Sequence, residues 1–246
     1  MSTVDTAGFV FPLFAGADAD HPELVVGAAF RLGDNFFLTA AHCLKPPGEH
    51  PWIGLGVLGH GAELQQVVDV SGAECDESCD LGVFECRTGE THKRLHWSDR
   101  LLPMGGSVSA PGYAYGFGQD GRGVTGRTFS GTVVAARPFR RVRAEPPAYE
   151  VSFQCPRGLS GAPLLTETLA VSGVVLGNQS TEMMVYASRE HVSPERQHVV
   201  ERFEPLALGI AIQSRAVLEL AVTFRLLGGL TLREHLERAD LIAAGR

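Results

Sequence analysis

Short apolar runs, each closed by a turn signal, follow one another along most of this chain. Leu24 to Phe30 and Asn35 to Ala40 are separated by the hairpin turn Arg31-Leu32-Gly33-Asp34. Trp52 to Leu58, Glu63 to Val70 and Asp80 to Cys86 continue the series. Between them lie a proline-rich loop, Lys45 to Pro51, and an acidic loop, Gly72 to Ser78. After a polar, turn-rich connection over 87–106 the pattern resumes. Ser107 to Ala110, Gly112 to Gly118, Gly126 to Ala136, Tyr149 to Gln154, Ala162 to Leu165, Ala170 to Gly177 and Ala207 to Gln213 read as strands. Short strands at this spacing build a barrel or a sandwich. The 246 residues suffice for one large β domain or two small ones packed together.

Four stretches lie outside that pattern. Residues 1–22 are small, acidic and proline-containing, and read as an arm lying on the domain. Asn178 to Pro205 is far longer than a median connection of about 4–6 residues and reads as a functional loop, either partly structured or mobile. Ser214 to Leu220 is amphipathic, with Ser214 as its N-cap. Thr231 to Ala239 is helical, with Glu234 and Arg238 at i, i+4; it either packs against the barrel or serves as a partner-binding tail.

Composition removes several function classes. The formal net charge is −7, which argues against a nucleic-acid footprint. The one dense basic run, Arg137 to Arg143, is a solvated face or a docking site for an acidic partner. No stretch reaches the roughly 18 apolar residues of a membrane span. Met1 to Gly8 has no positive n-region and Phe9 to Ala15 is too broken for a signal sequence, so the expected compartment is cytoplasmic. Five cysteines, Cys43, Cys75, Cys79, Cys86 and Cys155, leave at least one unpaired. A zinc reading of Cys75, Cys79 and Cys86 with His92 lacks the spacing of a common structural site. No metal and no cofactor is expected.

Three short stretches carry chemistry. Phe36 to Leu44 is an apolar strand ending in Thr39-Ala40-Ala41-His42-Cys43. Asp80-Leu81-Gly82-Val83 places an acid at the mouth of another strand. Gly158-Leu159-Ser160-Gly161-Ala162-Pro163 holds a serine in a tight turn between glycines. Taken singly, His42 reads equally as a strand-capping core histidine, Asp80 as a turn cap and Ser160 as a loop serine. Serine needs a base within hydrogen-bond reach, a histidine near neutrality is that base, and a buried acid fixes its tautomer. The N–H groups of Gly158 and Ser160 can converge on a developing oxyanion.

In the order His42, Asp80, Ser160 these motifs resemble those of the chymotrypsin/trypsin-like serine peptidases, as a bacterial-type member without a leader, from about Val25 to Leu220. The resemblance implies an all-β fold of two six-stranded antiparallel barrels with a C-terminal helix. It divides the chain into an arm (1–22), a first barrel with His42 and Asp80 (23–100), a second barrel with Ser160 (101–222) and a helical tail (223–246). It implies a serine endopeptidase acting on protein or peptide substrates. It places Gln154 at the base of the primary pocket, Val175, Leu176, Gly177 and Asn178 along one wall, and Gly209 to Ala211 along the other. Neither wall is charged, although Glu182 or Arg189 could reach in. In secreted relatives a cysteine on the preceding strand bridges to the one after the histidine; none is present here, so Cys43 is expected to be a free buried thiol.

Leu159 departs from the family, which in its zymogens has an acid before the nucleophile to pair with a freshly cut N-terminus. Leucine cannot make that pair. Activity with Met1 attached is expected, and removal of about the first 20 residues should neither create activity nor sharply raise it. Two other roles remain open: an inactive protease fold that binds peptides, and an effector of a bacterial stress or defence system switched on by an activating protein partner.

Overall fold

Two strand systems divide the chain in the computed structural model, which describes residues 8–33, 35–45, 48–58, 64–88, 94–114, 124–193 and 196–242. The first holds β1 (Val10–Gly16), β2 (Pro22–Arg31), β3 (Phe36–Ala40), β4 (Trp52–Leu58), β5 (Leu64–Asp69), β6 (Ser71–Asp76) and β7 (Leu81–Glu85). They form one antiparallel sheet in the order β5-β4-β1-β2-β3-β7-β6. The second holds β8 (Ser107–Gly112), β9 (Arg127–Pro138), β10 (Pro147–Val151), β11 (Pro163–Leu165), β12 (Val171–Ser193) and β13 (Arg196–Gln213), closed into a six-stranded barrel. This is the two-barrel chymotrypsin-like architecture, with its first half a curved seven-stranded sheet in place of a closed six-stranded barrel.

Three sequence expectations need correction. Residues 10–16 are no arm: β1 lies mid-sheet, paired with both β2 and β4, and every residue in it is buried. Its Phe11 ring meets Phe37 edge-on at 5.3 Å, and Phe37 stacks on Phe84 at 5.3 Å. The acidic stretch after Gly72 is no loop either. Residues 71–76 form β6, an edge strand on β7, where polar residues discourage further pairing. The long segment after Asn178 is a β-ribbon: β12 and β13 stay paired from Gly173↔Gln213 out to Ser193↔Arg196. The expected strand over 115–118 lies outside the described residues.

The position of β1 fixes the outcome of truncation. Deleting residues 1–16 removes Phe11, Leu13 and Phe14, all essentially unexposed. Large-to-small core changes cost about 2–5 kcal/mol each, so the deletion should give insoluble protein. A soluble truncated chain with a cooperative melt would contradict this placement of β1.

Beyond the barrel, α1 (Ser214–Leu218) starts with Ser214 as its first helical residue, not its cap. The Ser214 hydroxyl instead donates to the Ser98 carbonyl. β14 (Thr223–Phe224) and β15 (Leu230–Thr231) pair, and α2 (Leu232–Arg238) follows with a complete capping box between Thr231 and Glu234. Leu232 and Leu236 are buried, so α2 packs onto the body. The connection between the two strand systems is pinned where Trp97, fully buried, bridges Val171.

Candidate active site

His42 is carried on the 3-10 turn Ala41–Leu44 that ends β3. Asp80 holds that turn from the adjacent strand. Its carbonyl accepts from the Ala41 N–H at 3.0 Å and its Oδ1 from the His42 N–H at 2.9 Å. Its Oδ2 lies 2.7 Å from His42 Nδ1. Asp80 has φ +57°, in the left-handed region that short polar side chains tolerate better than most. The hydrogen bond to Asp80 is the main cause that raises the His42 imidazole above its ordinary 6.5, to about 10, with Cys43 adding to it and burial opposing. The His42 side chain is still 46% exposed, so a substrate can reach it.

Ser160 arrives from the second barrel on the turn before β11. The turn docks on the first sheet: the Ala28 N–H donates to the Ser160 carbonyl at 2.8 Å, and the Cys43 thiol lies 3.6 Å from the same oxygen. Gly158 has φ +94°, and a Cβ there would fall 2.4 Å from the Tyr113 carbonyl oxygen, so only glycine fits. Leu159 is fully buried, which gives the turn an apolar anchor. Among the described residues, the N–H groups of Gly158 and Ser160 have no hydrogen-bond partner, whereas those of Leu159, Gly161 and Ala162 do.

Two cavities flank His42. One, of about 270 Å³, is lined by Leu24, Val26, His42, Lys45, Arg157 and Ser160. The other, of about 260 Å³, lies toward Asp80, Phe139, Arg141, Leu176 and Asn178. Ser160 Oγ donates to the Leu176 carbonyl at 2.9 Å.

The pocket residues are partly brought together. The two expected walls are bonded neighbours, with Val175↔Ala211 and Asn178↔Gly209 in register, and Val175 and Ala211 fully buried. Gly209 is needed for close approach, because a Cβ there would meet the Cys155 Sγ at 2.5 Å and the Phe153 carbonyl at 2.7 Å. Asn178 ties the Cys155 backbone with both ends of its amide, at 2.6 Å and 2.9 Å. Gln154 is exposed and lines neither cavity. The side chains of Glu182 and Arg189 lie outside the described residues. Arg157, Lys45 and the segment Phe139 to Val142 were not legible as site residues, since only the fold brings them to His42.

All five cysteines are free. Among the described residues Cys75, Cys79 and Cys86 are not gathered into a cluster of three metal-binding side chains, and His92 lies outside them. Burial pushes the Cys86 and Cys155 thiols up to about 12 and Cys79 to about 11. Five thiols should titrate in denaturant without reductant, and only exposed Cys75 should react promptly in the native protein. Recovery of three or one in denaturant would contradict this.

Residues 27–174 match the family model of the trypsin-like peptidase domain. No curated protein matches the chain at a significant level. Among solved structures, the active form of the Rv3671c protease from M. tuberculosis superposes with a TM-score of 0.57 at 16% identity, covering 86% of this chain and 78% of that one. The HtrA-type protease AlgW, as a serine-to-alanine variant with a decapeptide, gives 0.58 at 13% identity over 86% and 62%. The MamO protease domain from Magnetospirillum magneticum gives 0.55 at 15% over 86% and 95%. At such identities the superpositions speak for the fold; the family match spans well over half of the sequence. The chain therefore belongs to the trypsin-like peptidase domain family, and it is a serine endopeptidase.

Proposed function

We propose that Ser160, His42 and Asp80 form the catalytic triad of this peptidase and that the Gly158 and Ser160 N–H groups form its oxyanion hole. The observation that carries this reading is the shared cleft. His42, with Nδ1 held by Asp80, opens onto the same cavity as Ser160, beside two unpaired N–H groups. Neutral His42 takes the Ser160 hydroxyl proton as Oγ leaves the Leu176 carbonyl and bonds to the scissile carbonyl carbon. The carbonyl oxygen becomes an oxyanion facing the two N–H groups. The imidazolium, held by Asp80, then gives its proton to the leaving amine, and water repeats the sequence to free the acid.

Protein and peptide chains are the proposed substrates. The AlgW structures are with a decapeptide and a tripeptide, which supports protein or peptide as the substrate class. The test is to incubate the purified chain with an unfolded protein and read the N-termini produced. New internal N-termini are expected; trimming from the ends alone would contradict endoproteolysis.

A partner-switched form of the same activity is favoured by one further observation. Leu176, which accepts from Ser160 Oγ, lies on β12, and β12 continues into the ribbon. A partner gripping the ribbon could shift that carbonyl. Joining Ser180 directly to Ala207, which face each other in register, through a short turn removes the ribbon. A change in cleavage rate beyond about tenfold would support the switch, and an unchanged rate would dismiss it.

A further inference from the structure

The net charge of the chain is −7, yet the cavity beside Ser160 is rimmed by two cations, Lys45 and Arg157, over an apolar floor of Leu24 and Val26. Leu24 and Val26 are alternate residues of β2, so both point to one face. Arg157 is exposed and, among the described residues, has no hydrogen-bond or ion-pair partner. Lys45 pairs with Glu77 at 2.8 Å, but both side chains are more than half exposed, and such a pair is worth little. A guanidinium left unpaired beside the nucleophile is available for a substrate carboxylate, and its planar fork suits two-point binding.

The side of the cleft follows from the pocket assignment. The wall Leu176 to Asn178 belongs to the other cavity, across His42. The resemblance to the serine peptidases assigns that wall to the primary pocket, which holds the residue that becomes the acyl group. The cavity with Arg157, Lys45 and Ser160 is therefore on the leaving-group side. We propose that this peptidase selects peptides carrying Asp or Glu within the first residues after the cut bond, with Arg157 as the main specificity residue and Lys45 as its auxiliary. The proposal rests on the triad reading above and adds a substrate class to it.

The test compares quenched fluorescent peptides that are identical except for Glu or Lys at the first and second positions after the cut. In the full-length wild type at low salt, kcat/KM should favour the Glu peptides about fivefold, and the preference should shrink as salt screens the pair. Arg157→Glu replaces attraction by repulsion and should invert the preference, and Arg157→Lys, which keeps the charge but loses the fork, should keep only part of it. Equal rates for Glu and Lys peptides in the wild type would overturn the proposal, as would a Glu preference that survives in Arg157→Glu. A fluorophosphonate label on wild-type Ser160 runs alongside. If the protein labels and cuts without a Glu preference, only the charge assignment fails. If it neither labels nor cuts, the triad reading falls and takes this inference with it.

Discussion

Ser160→Ala should lower peptide cleavage by about a million-fold, the scale seen when the nucleophile of such a triad is removed. The structure explains why the fold should survive. The Ser160 contacts that join the two strand systems are made by its backbone: the carbonyl accepts from Ala28 and lies beside the Cys43 thiol. Among the described residues the hydroxyl makes one bond, to the Leu176 carbonyl, and the residue is only partly buried. The thermal midpoint should therefore move by no more than a few degrees. Cleavage by the variant within tenfold of wild type would assign the chemistry to another residue.

Asp80→Asn should lower kcat about ten-thousand-fold, because an amide stabilises the wrong imidazole tautomer and cannot balance the imidazolium. Here the acid also holds the turn that carries His42, through the Ala41 and His42 N–H groups. The pH dependence separates these roles. In the wild type the Asp80 hydrogen bond lifts His42 to about 10, so the fraction of neutral base grows as pH rises. The kcat/KM profile should climb through the alkaline range instead of levelling just above pH 7. In Asp80→Asn the inflection should fall toward the ordinary value of about 6.5. The sign for stability follows from the same shift. A histidine whose folded value is raised adds stability that is fully present below about pH 6.5, and that contribution is lost as pH rises through the folded value. The wild type should thus lose more stability than Asp80→Asn between pH 7 and 10. Parallel stability curves over that range would contradict the pairing.

The candidate site was legible where the proposed chemistry depends on a few residue types in a fixed order. His42, Asp80 and Ser160 each follow or precede a short apolar strand, and their order selects one architecture among several that use such a trio. The glycine-flanked turn was legible because Gly158 must adopt a positive φ next to the Tyr113 carbonyl. What failed was set by long-range pairing. β1 reads as an arm because Pro12 interrupts its apolar run and acidic residues follow, yet β2 and β4 bury it from both sides. The ribbon reads as a loop because its polar residues show no buried face. Its strands need none, since beyond Gly209 they pair only with each other among the described residues. Gln154 was placed by counting back from Ser160, and counting does not foresee that the Asn178 amide would tie the Cys155 backbone beside it. Arg157 lies close to Ser160 in sequence, but its meaning depends on Lys45, Leu24 and Val26 arriving from the other strand system.

The most direct measurement is mass-spectrometric mapping of a fluorophosphonate adduct on the untruncated chain, followed over pH. The account predicts one adduct per chain, on Ser160, forming faster as pH rises and absent in His42→Ala. An adduct on another residue, or equal labelling of wild type and His42→Ala, would contradict it.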